Sequence, residues 1–204
     1  ITDHGPDLKG RINSPFFERL RDPLPGIRLL KGMECNLRID GTIDMPRNLL
    51  PWCDVIIVGI HSHQLTGLGM QRYTEAVCAA LDANPCIDII AHPDDTVFTL
   101  DFEQVVTTAK RHGVALELNN SKAALSRYDG ATTREMLRVC KEMDCPIVVD
   151  SDAHAVNEIG LDDAVVPFLR EIDFPQSLVI NATAERALGW VEERRAGKSV
   201  VKQV

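Results

Sequence analysis

Nowhere does this 204-residue chain stay apolar for the roughly 20 residues that a membrane-spanning helix requires. No membrane segment is expected, and no signal-peptide pattern is visible at the start. The six cysteines, Cys35, Cys53, Cys78, Cys86, Cys140 and Cys145, form no C-x-x-C pair, and several lie inside apolar runs. That usage fits reduced, packed thiols and a cytoplasmic location rather than disulfides. Basic residues are scarce, with 22 Lys and Arg against 30 Asp and Glu, a formal net charge of −8. Such a balance argues against an electrostatic grip on a long nucleic acid. A small anionic substrate stays compatible, because bound divalent metals would reverse the sign of the local field. Repeats and low-complexity tracts are absent, and 45% hydrophobic content suffices for one domain, 1–204, with a substantial core.

Metal-ligating residue types are present, at telling places. The runs Ile1–His4, Leu29–Glu34, Val55–His61, Ile87–His92 and Ile147–His154 each carry an apolar stretch into an imidazole or carboxylate. Barrels of alternating strands and helices present catalytic groups in this way, at the C-terminal ends of parallel strands. His112 stands apart, before Gly113 at an expected helix end, where a cation complements the helix dipole; it reads as structural.

The periodicity supports such a barrel. Short β-branched runs at about 27–34, 54–61, 86–91, 114–119 and 146–150 alternate with segments of helical period at about 70–83, 101–112, 131–143, 161–171 and 183–195. Thr132 or Thr133 suits a helix N-cap, with Glu135 following, and Gly113 suits a helix end. Pro85 and Pro146 mark strand entries. The competing architecture, a doubly wound nucleotide-binding sheet, lacks its glycine-rich phosphate loop here.

Taken in order, ITDHG (1–5), GMEC with Glu34, DVIIVGIH ending at His61, IIAHP with His92, ALELNNS (115–121) and DSDAH (150–154) resemble the PHP family, named for polymerase and histidinol phosphatase domains. The likeness covers nearly the whole chain and is greatest to free-standing bacterial phosphatases of the family. It implies an α/β fold, a distorted seven-stranded (βα) TIM-like barrel holding up to three divalent metals, zinc first, with manganese or iron as alternatives. By resemblance Glu34 bridges two metals, His61 and His92 complete the second metal's set, Asp152 binds the first, and His4 and His154 bind the third. The family's first strand, with a His-x-His pair, has no counterpart, so the chain is expected to be an N-terminal truncation holding fewer metals. An open barrel edge would also favour a homo-oligomer. His61-Ser-His63 is not that pair, since DVIIVGI matches the family's fourth strand; His63 is read as an extra rim histidine.

The expected activity is hydrolysis of a small phosphomonoester by a metal-bound hydroxide at the C-terminal mouth of the barrel. Glu34, Asp152 and His154 are the expected catalytic residues, the last two as candidates for passing a proton to the leaving group. Asp150 and Asp3 are candidates for hydrogen-bonding ligands from behind. Lys9, Arg11, Lys122 and Arg127 are candidate phosphate partners or ordinary surface charges, and Asn119, Asn120 and Ser121 either orient substrate or cap a turn. Two alternatives stand beside this reading: an amidohydrolase-type metallohydrolase, disfavoured because no lysine stands at a strand end, and a truncated, non-catalytic domain with partial metal content.

Overall fold

The computed structural model describes residues 1–8, 13–61, 67–123 and 129–201. Lys9, Arg11, His63 and Arg127 lie outside the described residues. Six strands, β1 (Thr2–His4), β2 (Gly32–Asn36), β3 (Val55–Gly59), β4 (Ile89–Ile90), β5 (Ala115–Asn119) and β6 (Ile147–Asp150), form one sheet in sequential order, each pair parallel. That order, with no reversal point, excludes the doubly wound arrangement and gives a curled, TIM-like half-barrel. The α-helices are α1 (Ser14–Arg19), α2 (Met70–Ala83), α3 (Phe102–His112), α4 (Asn120–Ala123), α5 (Gly130–Glu142), α6 (Val166–Glu171) and α7 (Ala184–Val201). No helix among the described residues is long and apolar enough to cross a membrane, and no disulfide joins any of the six cysteines.

Strand alternation sorts each side chain to one of two faces. Val58, Ile90, Leu116, Leu118 and Ile147 point outward into the main core, where Tyr73, Val77 and Leu81 of α2, Val105 and Val106 of α3, and Met136 and Leu137 of α5 cover them. Met33, Cys35 and Ile56 point outward as well, into a smaller cluster around Phe17 of α1. The inward positions are Glu34, Ile57, Ile89, Glu117, Val148 and Asp150, which line a concave cavity of about 640 Å³. One buried face of the sheet is thus apolar throughout, and the other carries carboxylates.

Element boundaries differ from the sequence expectation in several places; the run expected over 86–91 forms a strand only at Ile89–Ile90. The run 27–34 enters the sheet only at Gly32, where Thr2 and Val55 lie on either side of it, and β2 continues to Asn36, so Glu34 sits mid-strand rather than at a strand end. Asp129, not Thr132 or Thr133, caps α5 by accepting from the Ala131 amide; Thr133 is buried inside the helix and donates to Asp94. The helix expected over 161–171 begins only at Val166, because Pro167 is tolerated only in a helix's first turn. The last helix, expected over 183–195, runs on to Val201. At α3 the expectation holds: Asp101 caps the start, and Gly113 at φ 64° closes the end beside Lys110, Arg111 and His112. His112 pairs with Asp82 at 2.7 Å, as befits a structural residue.

Helix α7 fastens the N-terminal end of the half-barrel. Arg194 donates to Asp88 (2.9 Å) and to the carbonyls of Ile87 (2.5 Å) and His112 (2.7 Å), and Arg195 donates to Asp54 (2.5 Å). Asp54 and Asp88 immediately precede β3 and β4, so two adjacent arginines hold the starts of two neighbouring strands. The outer edge of β6 is partly covered too. Val179 bridges Ile147, and the Asn181 amide exchanges two hydrogen bonds with the backbone of Val149 (3.0 and 2.5 Å), as a neighbouring strand would.

Asp88 is 1% exposed, so removing Arg194 takes the guanidinium counter-charge from a buried carboxylate. Arg194→Ala is expected to destabilise the fold by about 3 kcal/mol, read as a lower urea midpoint with an unchanged slope. A variant within about 0.5 kcal/mol of wild type would show that α7 is not a clamp.

Candidate metal centre

The half-barrel's register brings its imidazoles to one carboxylate. His4 on β1 is the register partner of Glu34 on β2, and both face the cavity. His61 and His92 follow β3 and β4 by two residues each. Glu34 Oε1 lies 3.3 Å from His61 Nε2 and 3.4 Å from His92 Nε2, and Oε2 lies 3.4 Å from His4 Nδ1. Ligand atoms of His4, Glu34 and His61 all fall within 4.8 Å of one another. The rings pack edge to face, His61 against His4 at 5.0 Å and against His92 at 5.4 Å between centroids. Gly59 makes room for this: a Cβ there would stand 3.0 Å from His61 and 3.2 Å from His92.

Electrostatics follow from the burial. Burial alone would raise the Glu34 carboxyl, but hydrogen bonds with His61 and His92 and the charges of His92 and His4 outweigh it and hold the group well below the usual carboxylate range. Glu34 is therefore ionised at neutral pH. Burial lowers His61, with Glu34 opposing. Burial would lower His92 also, yet its contact with Glu34 and the nearby charge of Glu117 carry it above the ordinary imidazole value. Nδ1 of His4 is buried without a well-directed hydrogen bond. An ionised carboxylate ringed by imidazoles is a donor set that suits Zn, Mn or Fe.

The other expected residues occupy the same cavity. Asp152 and His154 line it from the loop after β6, but no contact of either with Glu34 occurs among the described residues. His154 Nδ1 bonds the Asp152 carbonyl at 2.8 Å and lies 3.7 Å from its carboxylate, and the side chain is 68% exposed. Asp150 turns this loop by accepting from the Asp152 amide (3.2 Å), and Asp3 accepts from the His4 amide (2.8 Å). Asn119 and Asn120 have structural partners: Asn119 Oδ1 caps the amide of Lys122 (3.0 Å), and Asn120 Oδ1 that of Ala164 (3.0 Å).

Several buried carboxylates escaped the sequence reading, Asp44 and Glu117 among them. Asp44 accepts from the Asn36 amide (2.6 Å), the Asn36 side chain (2.6 Å) and the Asp7 amide (2.8 Å), fastening the loop behind His4 to the end of β2. Glu117 lies inside β5, where it accepts from the His92 amide (2.5 Å) and from Asn119 Nδ2 (3.0 Å). Burial raises both Glu117 and Asp150, Asp150 further because it faces the Glu117 charge, so Asp150 keeps its proton and donates it to Glu117. The available signal was a glutamate at an inward position of the otherwise apolar strand Ala115–Leu118.

Since the hydrogen bond with Glu34 is the largest of the influences that raise His92, Glu34→Gln should lower the His92 titration midpoint in metal-free protein. Histidine ring-proton NMR across pH 5–9 reads this directly. An unmoved His92 midpoint would mean that the two groups do not interact.

No family model matches the chain. It is 37% identical over 200 residues to a "probable phosphatase" of Acetivibrio thermocellus, covering 96% of this chain and 82% of that relative. A "probable phosphatase" of Caldanaerobacter subterraneus subsp. tengcongensis is 32% identical over 201 residues, covering 96% and 79% of the two chains. Another, of Caldicellulosiruptor saccharolyticus, is 31% identical over 204 residues, covering 98% and 84%. Among solved structures, a chain of archaeal ribonuclease P with mature tRNA superposes with a TM-score of 0.61 at 17% identity, over 95% of this chain and 80% of that one. That likeness speaks to the fold alone. With relatives of this identity and coverage, the chain belongs to the family of these probable phosphatases.

Proposed function

We propose that this protein is a metal-dependent phosphomonoesterase of the PHP type acting on a small phosphorylated substrate in the concave cavity. One observation carries the reading: the two oxygens of a single ionised carboxylate face different imidazoles, Oε1 toward His61 and His92 and Oε2 toward His4. A carboxylate so placed is suited to bridging two cations, one held with His61 and His92 and the other on the His4 side. Asp152 and His154, across the same cavity, are the proposed remaining ligands. When bound, divalent metals would lower the pKa of a water and offset charge on the phosphoryl oxygens.

The chain's own residues do the rest. Glu34 stays ionised and so keeps the imidazoles turned toward one point. Lys122, half-buried beside Asn119 and close enough for its charge to oppose protonation of His92, is the proposed partner for a phosphate oxygen. His154, exposed and with Nδ1 bonded to the Asp152 carbonyl, is the proposed proton donor to a departing alkoxide in the state in which its Nε2 holds no metal.

The test measures bound metal and hydrolysis of an aryl phosphate with Mn or Zn supplied. Glu34→Gln and His92→Ala should each lose metal and lower kcat/KM about a hundredfold or more, on the order of 2.7 kcal/mol in transition-state stabilisation. Lys122→Ala should act chiefly on KM. Because imidazole must be neutral to coordinate, metal affinity should weaken as pH falls, beginning above the ordinary imidazole range where His92 takes up its proton. Metal-loaded wild-type protein that cleaves no phosphoester would end the proposal.

A further inference from the structure

Two of the proposed ligands, His92 and Asp152, have backbone φ values of 32° and 43°, in the left-handed region that side-chain-bearing residues rarely adopt. Both are tied to the same pair of side chains on β5. Glu117 Oε2 accepts the His92 amide at 2.5 Å, and Asn119 Nδ2 donates both to Glu117 Oε2 (3.0 Å) and to Asp152 Oδ2 (3.1 Å). Glu117 is 4% exposed and Asn119 2% exposed, so neither bond competes with bulk water. From the other side Asp150 hydrogen-bonds Glu117, and its carboxylate also accepts the Asp152 amide.

We infer that Glu117 is a positioning residue of the metal centre: its carboxylate oxygen holds the His92 backbone in its left-handed conformation, aims the His92 ring at Glu34, and through Asn119 sets Asp152 in the same frame. This inference rests on the metal-centre reading and adds to it a residue outside the proposed ligand set. What matters at Glu117 is reach, because the His92 amide and the Asn119 side chain converge on one of its oxygens while Asp150 hydrogen-bonds the same carboxylate. A glutamine offers that same oxygen at the same distance, and its amide can donate to Asp150 in place of the proton Asp150 now supplies. An aspartate keeps the charge but is one methylene too short to meet the His92 amide.

The pair Glu117→Gln and Glu117→Asp therefore separates position from charge. The readouts are cobalt(II) affinity, from the visible absorption of the loaded protein, and amide hydrogen exchange in metal-free protein under chelator. Glu117→Gln should bind cobalt within about threefold of wild type and keep the His92 amide protected. Glu117→Asp should lose about 10- to 100-fold in affinity and expose the His92 amide, while the amides of Leu116 and Val149 exchange as in wild type. The reverse ranking, with Asp retaining affinity and Gln losing it, would overturn the inference in favour of a charge role. Equal loosening of all three amides would overturn it in favour of general destabilisation. Wild-type protein that binds no cobalt would remove the metal centre itself, and the His92 amide would still decide whether Glu117 holds that backbone.

Discussion

An ionised carboxylate removed from water must be given partners, and the arrangement around Glu34 meets that requirement with three imidazoles drawn from three other segments of the chain. The dependence runs both ways. Without Glu34, the buried His92 would lose the largest influence that favours its protonated state; without the imidazoles, burial would neutralise Glu34. The site is a mutual solution to a desolvation problem, and a cation would resolve it further by replacing protons as the positive partner.

Such a site is tolerable only on a rigid support. On the outer face of the sheet an apolar core packs three long helices against every strand from β3 to β6, and at the N-terminal end the arginines of α7 grip the aspartates that open β3 and β4. Those clamps lie at the opposite end of the strands from His61 and His92. Stability and chemistry are thus separated along the strand axis, the division expected where loops at the C-terminal ends of parallel strands carry function. The inner face is the exception within the core, since Glu117 and Asp150 are buried there with a shared proton, next to residues held in unfavourable backbone conformations. Two of the four left-handed non-glycine residues, His92 and Asp152, thus stand beside this buried polar pair, as at sites that trade local stability for geometry.

Much of this was legible in the chain itself. The alternation of β-branched runs with helical periods specified parallel strands and covering helices, because each element must bury one face and the period decides which residues form it. The motif-bearing stretches around His4, Glu34, His61 and His92 marked the strands whose register then brought those residues together. Local capping was harder to read. Asp129 outcompeted Thr132 and Thr133 for the start of α5, a choice made by burial of Thr133 against Asp94 and not by cap preference alone. The late start of β2 was likewise invisible, since a strand begins where neighbours exist to receive its hydrogen bonds.

The sequence by itself determined the element types and the residues able to bind a metal, because both follow from side-chain chemistry and from spacing along a few turns or one strand. Only the tertiary structure decided that Glu34 stands mid-strand between facing imidazoles, that Glu117 and Asp44 are buried supports, and that Asn119 and Asn120 fasten backbone in place of meeting solvent. Those outcomes depend on strand register and on which carboxylates lose water. Both are set by contacts between residues far apart in the chain, and no local pattern encodes them.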